Sequence, residues 1–411
     1  MSTGLRRSAV VMAGLSLFST IVFAGWVQLN SGTLALLMSV HFPEGTQVGY
    51  AVGADPAGGG AIVKTTDGGD NWELQYSGVM NGLLNAVYFT DNNNGCAVGT
   101  LGTAIRTTDG GQTWIAMTLS GSDDLTGVQF PENGQVGYIF SRPRSGAPSR
   151  LLKTTDGGST WFAISVGRSA DVTRGGSFAN DSVGVIVGDD GLVLGAPGGQ
   201  YQDAQTNADL VAAAFAPTDP NKAYLIGNDS THGVIRYAAD GGATPWDSVR
   251  CWDVTRFYGV TMADSIFGFV CGSGGNILIS VSPTDFCRTT TGVTADMHGV
   301  CFPHGTDTGY AVGAGGTILR TYDGGIPWWD WVAESKVPAM SRTGIRVMSN
   351  PSRRGIAFDA DRAANVVVLD AAGRVVKTQA ANKGLNFLPM SKAGVYFVTT
   401  EARTIRVVLS E

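Results

Sequence analysis

Charge is scarce in this chain. Only 15% of its 411 residues are Asp, Glu, Lys or Arg, against roughly 25% in an ordinary soluble protein. The basic residues are thinnest in the body, where 15 Lys and Arg face 29 Asp and Glu between Gly25 and Val337. A protein that tracks nucleic-acid phosphates needs a basic stripe, so this balance argues against a nucleic-acid partner. Histidine occurs only at His41, His232, His298 and His304, in non-equivalent positions with no Ser or Cys partner that would make a nucleophilic triad. The five cysteines, Cys96, Cys251, Cys271, Cys287 and Cys301, form no CxxC pair and no Cys/His cluster at zinc spacing. Neither a metal nor a cofactor is therefore expected. An odd count leaves at least one thiol unpaired; Cys251 with Cys287 is the one disulfide worth considering, since Cys96, Cys271 and Cys301 fall at core strand positions.

Long apolar runs are also missing, with one exception. Arg6 and Arg7 precede an apolar stretch from Ala9 to Phe23, closed by Val22-Phe23-Ala24. The stretch is shorter than the roughly 20 residues of a membrane span, and no stop-transfer charges follow it. Residues 1–24 read as a signal peptide for the general secretory route, with the mature chain starting near Gly25.

Glycine is plentiful instead, at 58 residues without a Gly-X-Y period, which suits a turn-rich all-β chain. Its placement is periodic. The octet Thr107-Thr108-Asp109-Gly110-Gly111-Gln112-Thr113-Trp114 returns at Thr65 to Trp72, Thr154 to Trp161 and Thr321 to Trp328, and more loosely from Asp240 to Trp246. In such a turn the carboxylate accepts backbone N–H bonds, and the glycines take positive φ without strain. Asp67, Asp109, Asp156, Asp240 and Asp323 are thus expected to be structural, with Trp72, Trp114, Trp161 and Trp328 anchoring the outgoing strands. Each octet lies in a longer unit that begins with an apolar-x-Phe-like strand ending at residue 42, 89, 130, 178, 215, 262 or 302. A period of about 40–45 residues is that of one four-stranded propeller blade. The fold expected is all-β: a seven-bladed β-propeller over residues 25–337, followed by a small β-sandwich over 338–411. The segment Trp26 to Gly32 resembles a fourth strand and could close the ring, but Trp328 to Val332 competes for the same place.

The octet resembles the Asp-box of the bacterial neuraminidase repeat. The units Phe-x5-Gly-aromatic-Ala-Val-Gly and Gly-Thr-Ile-Leu-Arg-Thr-x-Asp-Gly-Gly over residues 34–335 are similar to the photosystem II stability/assembly factor family, which implies a propeller that binds protein. Beyond Val337 the composition turns basic, with 11 Lys and Arg against 5 Asp and Glu. There Asn350-Pro351, Asp370 to Val376, Gly394 to Phe397 and Arg406 to Leu409 together resemble the C-terminal sorting domain of type IX secretion cargo. That resemblance implies delivery through the periplasm of a Gram-negative bacterium to its surface or beyond, with the type IX machinery as a partner.

For function, the expectation is a non-catalytic platform that binds a protein or an acidic glycan. The alternative is a secreted glycoside hydrolase or lyase on the same scaffold, although an arginine triad and tyrosine nucleophile of the sialidase kind cannot be assembled here. Consecutive turns of a blade alternate between the two faces of the ring, so the second-to-third strand loops lie opposite the boxes, and these loops vary most. One of them carries Arg142, Arg144 and Arg150 on an otherwise acidic body, a set suited to bidentate capture of carboxylate. Replacing all three is expected to weaken binding at least tenfold, roughly 1.4 kcal/mol, and to leave stability unchanged. Lys64, Arg106, Lys153, Arg236 and Arg320 recur just before the box. They would form either a basic ring or, as the local spacing favours, stems packed on neighbouring strands with nearby Asp partners.

Overall fold

A computed structural model describes residues 25–325 except 79–81, 133, 145–148, 169–170, 243–244, 250–253, 266, 290, 304, 306–307 and 323. It further describes residues 345–347, 355–360, 364–370, 374–381, 384–389, 394–399 and 404–409. The expected signal peptide, Asp323, Trp328, Cys251 and the loop tip 145–148 lie outside the described residues, as does the competing segment from Trp328 to Val332.

Seven four-stranded antiparallel sheets make a seven-bladed β-propeller. The inner strands of blades 1 to 7 are Leu36–His41, Leu84–Phe89, Asp124–Gln129, Thr173–Phe178, Asp209–Ala216, Phe257–Met262 and Met297–Cys301. Each inner strand touches the inner strand of the next blade, and the last returns to the first. The second strands are continuous apolar runs. Gly49–Ala54, Gly95–Gly99, Gly184–Gly188, Gly268–Gly272 and Gly309–Gly313 are buried along essentially their whole length. Burial on both faces is what packing between two neighbouring blades demands. The core is accordingly a ring of inter-blade clusters, such as Tyr50, Val52, Ile62, Leu84, Val87 and Phe89 between blades 1 and 2. Cys96 and Cys271 lie in this core, and burial pushes both thiols up to about 12.

The N-terminal segment closes the ring. Val27–Leu29 pairs antiparallel with the third strand of blade 7, Val27 opposite Arg320 and Leu29 opposite Ile318. Trp26 is buried, donates Nε1–H to Thr289 Oγ1 at 3.1 Å and packs edge-on against Phe302 at 6.0 Å. Blade 7 is therefore completed from the opposite end of the chain.

Beyond the propeller, two antiparallel sheets of three and four strands run from Ile345 to Leu409. Val366 and Val368 are buried there and Asn365 is exposed, the alternation of a strand with one covered face. No helix of the described residues is long and apolar enough to cross a membrane.

Candidate functional site

The two faces of the ring are built from different chemistry. On the box face, the aspartate is closed in on its own turn. Asp109 Oδ1 accepts from the Thr107 hydroxyl at 2.8 Å and the Thr113 amide at 2.9 Å, and its Oδ2 accepts from the Thr113 hydroxyl at 2.6 Å. The Asp156 turn repeats this with Thr154 and Thr160, and the Asp67 turn with Thr65 and Asn71. Bonds from the residue four places on, then from the threonine, hold all three carboxyls at about 2. Gly110 and Gly111 have φ of 69° and 80°, a consecutive left-handed pair that only glycine adopts without cost. Asp240 makes the reduced version, accepting from the Gly242 amide at 3.1 Å. Trp72 is buried beside its box and Trp161 donates Nε1–H to Gly158 O at 3.1 Å, while Trp114 stands edge-on to Phe89 at 5.9 Å.

Each box then locks its surroundings. The first box glycine donates its amide to the first-to-second strand turn of its own blade: Gly68 to Gln47 O, Gly110 to Asn93 O and Gly157 to Gln135 O, each at 2.9 Å. Box and first turn therefore share a face. The carbonyl of the same glycine serves the preceding blade. Gly110 O accepts from the Tyr50 hydroxyl at 2.9 Å and Lys64 Nζ at 2.8 Å, and Gly68 O accepts from the Tyr310 hydroxyl at 2.6 Å and Arg320 Nη1 at 2.8 Å. Where the box has drifted the tyrosine persists, with Tyr138 donating to Asp181 O at 2.9 Å and Tyr224 to Pro283 O at 3.1 Å. Two of the cations before the box, Lys64 and Arg320, thus staple blades. Lys64 grips a backbone carbonyl rather than a nearby Asp. Arg320 adds Asp70 at 2.6 Å, Lys153 sits 5.3 Å from the Tyr138 ring centre, and Arg236 donates to Ala204 O at 3.0 Å. In blade 2, Cys96 takes the place of the tyrosine, and Arg106 is half-buried. Asp91 is likewise closed in a turn, accepting from the Asn93 and Asn94 amides at 2.7 and 2.8 Å.

The opposite face, called here the loop face, repeats one backbone feature in every blade and varies its side chains and its loops. Every inner strand carries a β-bulge at the same place, where the register shifts across Met38, Asn85, Thr126, Arg174, Val211, Tyr258 and His298. A bulge re-aims one side chain and frees it from the ladder. All seven are half-buried, whereas the residue before each is buried in the blade. They form one turn of unlike side chains around the innermost wall of the ring. Tyr258 and His298 lie with ring centres 4.5 Å apart beside Asp296; burial, then that carboxylate, raises the tyrosine, and burial lowers the histidine. Arg174 pairs with Asp189 and, at 2.9 Å, with Asp209. None of the seven was anticipated from the sequence. The signal is present nonetheless, because each is followed by Ser39, Ala86, Gly127, Gly175, Ala212, Gly259 or Gly299, a small residue after a variable one.

The tight turns between second and third strands lie on this face. Gly99-Thr100-Leu101-Gly102 and its counterparts in blades 4, 6 and 7 put their third residue at positive φ: Leu101 58°, Asp190 52°, Gly274 67° and Gly315 64°. An aspartate of the following blade accepts that residue's amide, Asp124 Oδ1 from Leu101 at 3.0 Å, Asp209 Oδ1 from Asp190 at 3.3 Å and Asp296 Oδ1 from Gly274 at 2.8 Å.

The three arginines separate into distinct roles. Arg150 donates Nε–H to Asp123 Oδ2 at 3.0 Å, pairs with it again through Nη2, and reaches Ser120 O at 3.0 Å. Asp123 is 8% exposed, so this bond ties the third strand of blade 3 to the linker that leads into that blade. Arg144 donates to Asp124 Oδ1 at 3.1 Å and is exposed. Arg142 is exposed, lies cross-strand from Asp124, and its side chain makes no hydrogen bond or ion pair among the described residues. No group of three or more His, Cys, Asp or Glu that could hold a metal ion occurs among the described residues.

The comparisons with known proteins agree with this architecture. The family model described as photosynthesis system II assembly factor YCF48 matches residues 78–173, which span blades 2 and 3. No curated protein matches the chain. Among solved structures, one described as YCF48 bound to D1 peptide is 21% identical, covers 73% of this chain and 97% of its own, and superposes with a TM-score of 0.57. YCF48 from Cyanidioschyzon merolae is 18% identical over 72% of this chain and 98% of its own, also at 0.57. The Cps50 (Swd1) β-propeller domain of Myceliophteria thermophila is 10% identical, covers 72% of this chain and 99% of its own, and reaches 0.54. These structures are similar to this chain in fold, and the likeness is that of an all-β, seven-bladed β-propeller.

Proposed function

We propose that this chain is an exported propeller whose loop face binds a segment of a partner protein, with residues 338–411 acting as a type IX sorting signal. The observation that carries the binding reading is the division of labour between the faces. Box aspartates, box carbonyls and the basic residues Lys64 and Arg320 are consumed by contacts within and between blades. On the loop face, bulges repeated in every inner strand display side chains that differ from blade to blade, the loops differ as well, and Arg142 and Arg144 stand exposed there. Variable groups on a rigid scaffold are the usual location of recognition. The similar propeller described as YCF48 bound to D1 peptide supports a protein segment as the ligand, ahead of an acidic glycan.

The test pairs a binding screen with a turnover assay on the same preparation. Saturable binding of a protein or peptide without release of product from a panel of polysaccharides is the expected result. Hydrolysis or elimination products formed at a catalytic rate would replace this reading with that of a secreted glycosidase or lyase.

A further inference from the structure

Leu101 is the residue of the loop face that the fold does least to explain. It occupies a left-handed position, φ 58°, that blades 6 and 7 fill with Gly274 and Gly315, and the residue is 47% exposed. A bulky residue pays strain at such a position, and an exposed leucine gains little burial in return. Beside it, Leu83 is 39% exposed; Leu83 N–H donates to the hydroxyl of Thr100, and Leu83 O accepts from the Thr100 amide at 2.9 Å. The pair adjoins the arginines directly. Asp124 Oδ1 accepts both the Leu101 amide at 3.0 Å and Arg144 Nη1 at 3.1 Å, and Arg142 lies cross-strand from Asp124. Locally, Arg142, Arg144 and Arg150 outnumber Asp123 and Asp124 in a body that is otherwise acidic.

We infer that Leu101 and Leu83, with Arg142 and Arg144, form a docking site for an extended acidic–apolar segment of a partner protein, one apolar side chain resting on the leucines and a neighbouring carboxylate meeting the guanidinium groups. The inference rests on the protein-binding reading and assigns it a place and a ligand chemistry. Charge complementarity selects the anion, and the strained, exposed leucine selects the apolar neighbour.

The full chain is panned against random dodecapeptides displayed on phage, and one selected peptide is synthesised and titrated against wild type, Leu101→Gly and Arg142→Ser. Selected sequences are expected to place Asp or Glu within about two positions of Leu, Ile or Phe. The Kd is expected to rise at least tenfold in each variant, while Leu101→Gly melts no lower than wild type, because glycine relieves the left-handed strain. A merely structural role for Leu101 predicts the reverse, a lower melt and unchanged affinity. Peptides that bind equally well to both variants would overturn the site and leave the protein-binding reading standing; failure to select any peptide would remove both. Selected sequences that are basic would also overturn it. So would a concentration-dependent dimer abolished by Leu101→Gly in sedimentation, since the occupant would then be a second copy of the chain.

Discussion

At the scale of the residue, the box turn depends on a threonine as much as on its aspartate. Thr107 is buried; its hydroxyl donates to Asp109 and accepts the Gly111 amide at 2.9 Å. Thr107→Val keeps the volume and removes these bonds, together with the one that the hydroxyl accepts from the Asp109 amide at 3.3 Å, which costs on the order of 1–3 kcal/mol. Urea midpoints of the variant and wild type measure it. The aspartates themselves give a pH signature. Their carboxyls are held at about 2, below the 3.8 of a free group, so the stabilisation is complete above about pH 4 and fades as pH falls toward 2. Asp109→Asn should therefore unfold at lower urea than wild type at pH 5, with the gap closing by pH 2; a gap that stays constant would mean that the charge contributes nothing. The octet was legible in the sequence because its partners lie within four residues. The tyrosine staples were not, because Tyr50 meets Gly110 across 60 residues and nothing local marks the pairing.

At the scale of the element, ring closure and the bulges organise the blade. Two segments of the chain read equally well as the last outer strand, and pattern alone could not choose between them. The choice is visible in space, where Val27–Leu29 lies on the edge of blade 7 and Trp26 fills the pocket beside Phe302. Trp26→Ala leaves that pocket empty, at a cost of about 3–5 kcal/mol. Because the strand is the ring's clasp, the loss should appear first as faster hydrogen exchange in blade 7, at Ile318–Thr321, with blade 4 following only on global unfolding. Uniform acceleration around the ring would contradict a local clasp. Strand boundaries and blade count were readable from repeated Gly and Phe positions. The bulges were not, since a register shift changes pairing without changing the apolar pattern.

At the scale of the whole molecule, the proposed binding depends on the two faces having separate duties. The loop arginines were readable as a cluster, but their partners were not: Asp123 and Asp124 precede the arginines in sequence and belong to the neighbouring linker and strand. The expectation that all three arginines can be replaced without loss of stability gives way to a split. Arg150→Ser strands a nearly buried carboxylate and should cost about 1–3 kcal/mol, whereas Arg142→Ser should leave the melt unchanged. Melting curves of the single variants decide this. The sorting reading predicts that exported protein has an intact mass corresponding to a chain that begins near Gly25 and ends between about Val337 and Arg346. Retention of residues 350–411 on fully exported material would count against a cleaved signal. Binding at the loop face is tested most directly by amide hydrogen exchange of the chain with and without a bound peptide selected against it. Protection is expected at residues 82–84, 100–102 and 142–144 of the loop face and none at the box turns 67–71, 109–113 and 156–160; protection confined to the box turns would contradict loop-face binding.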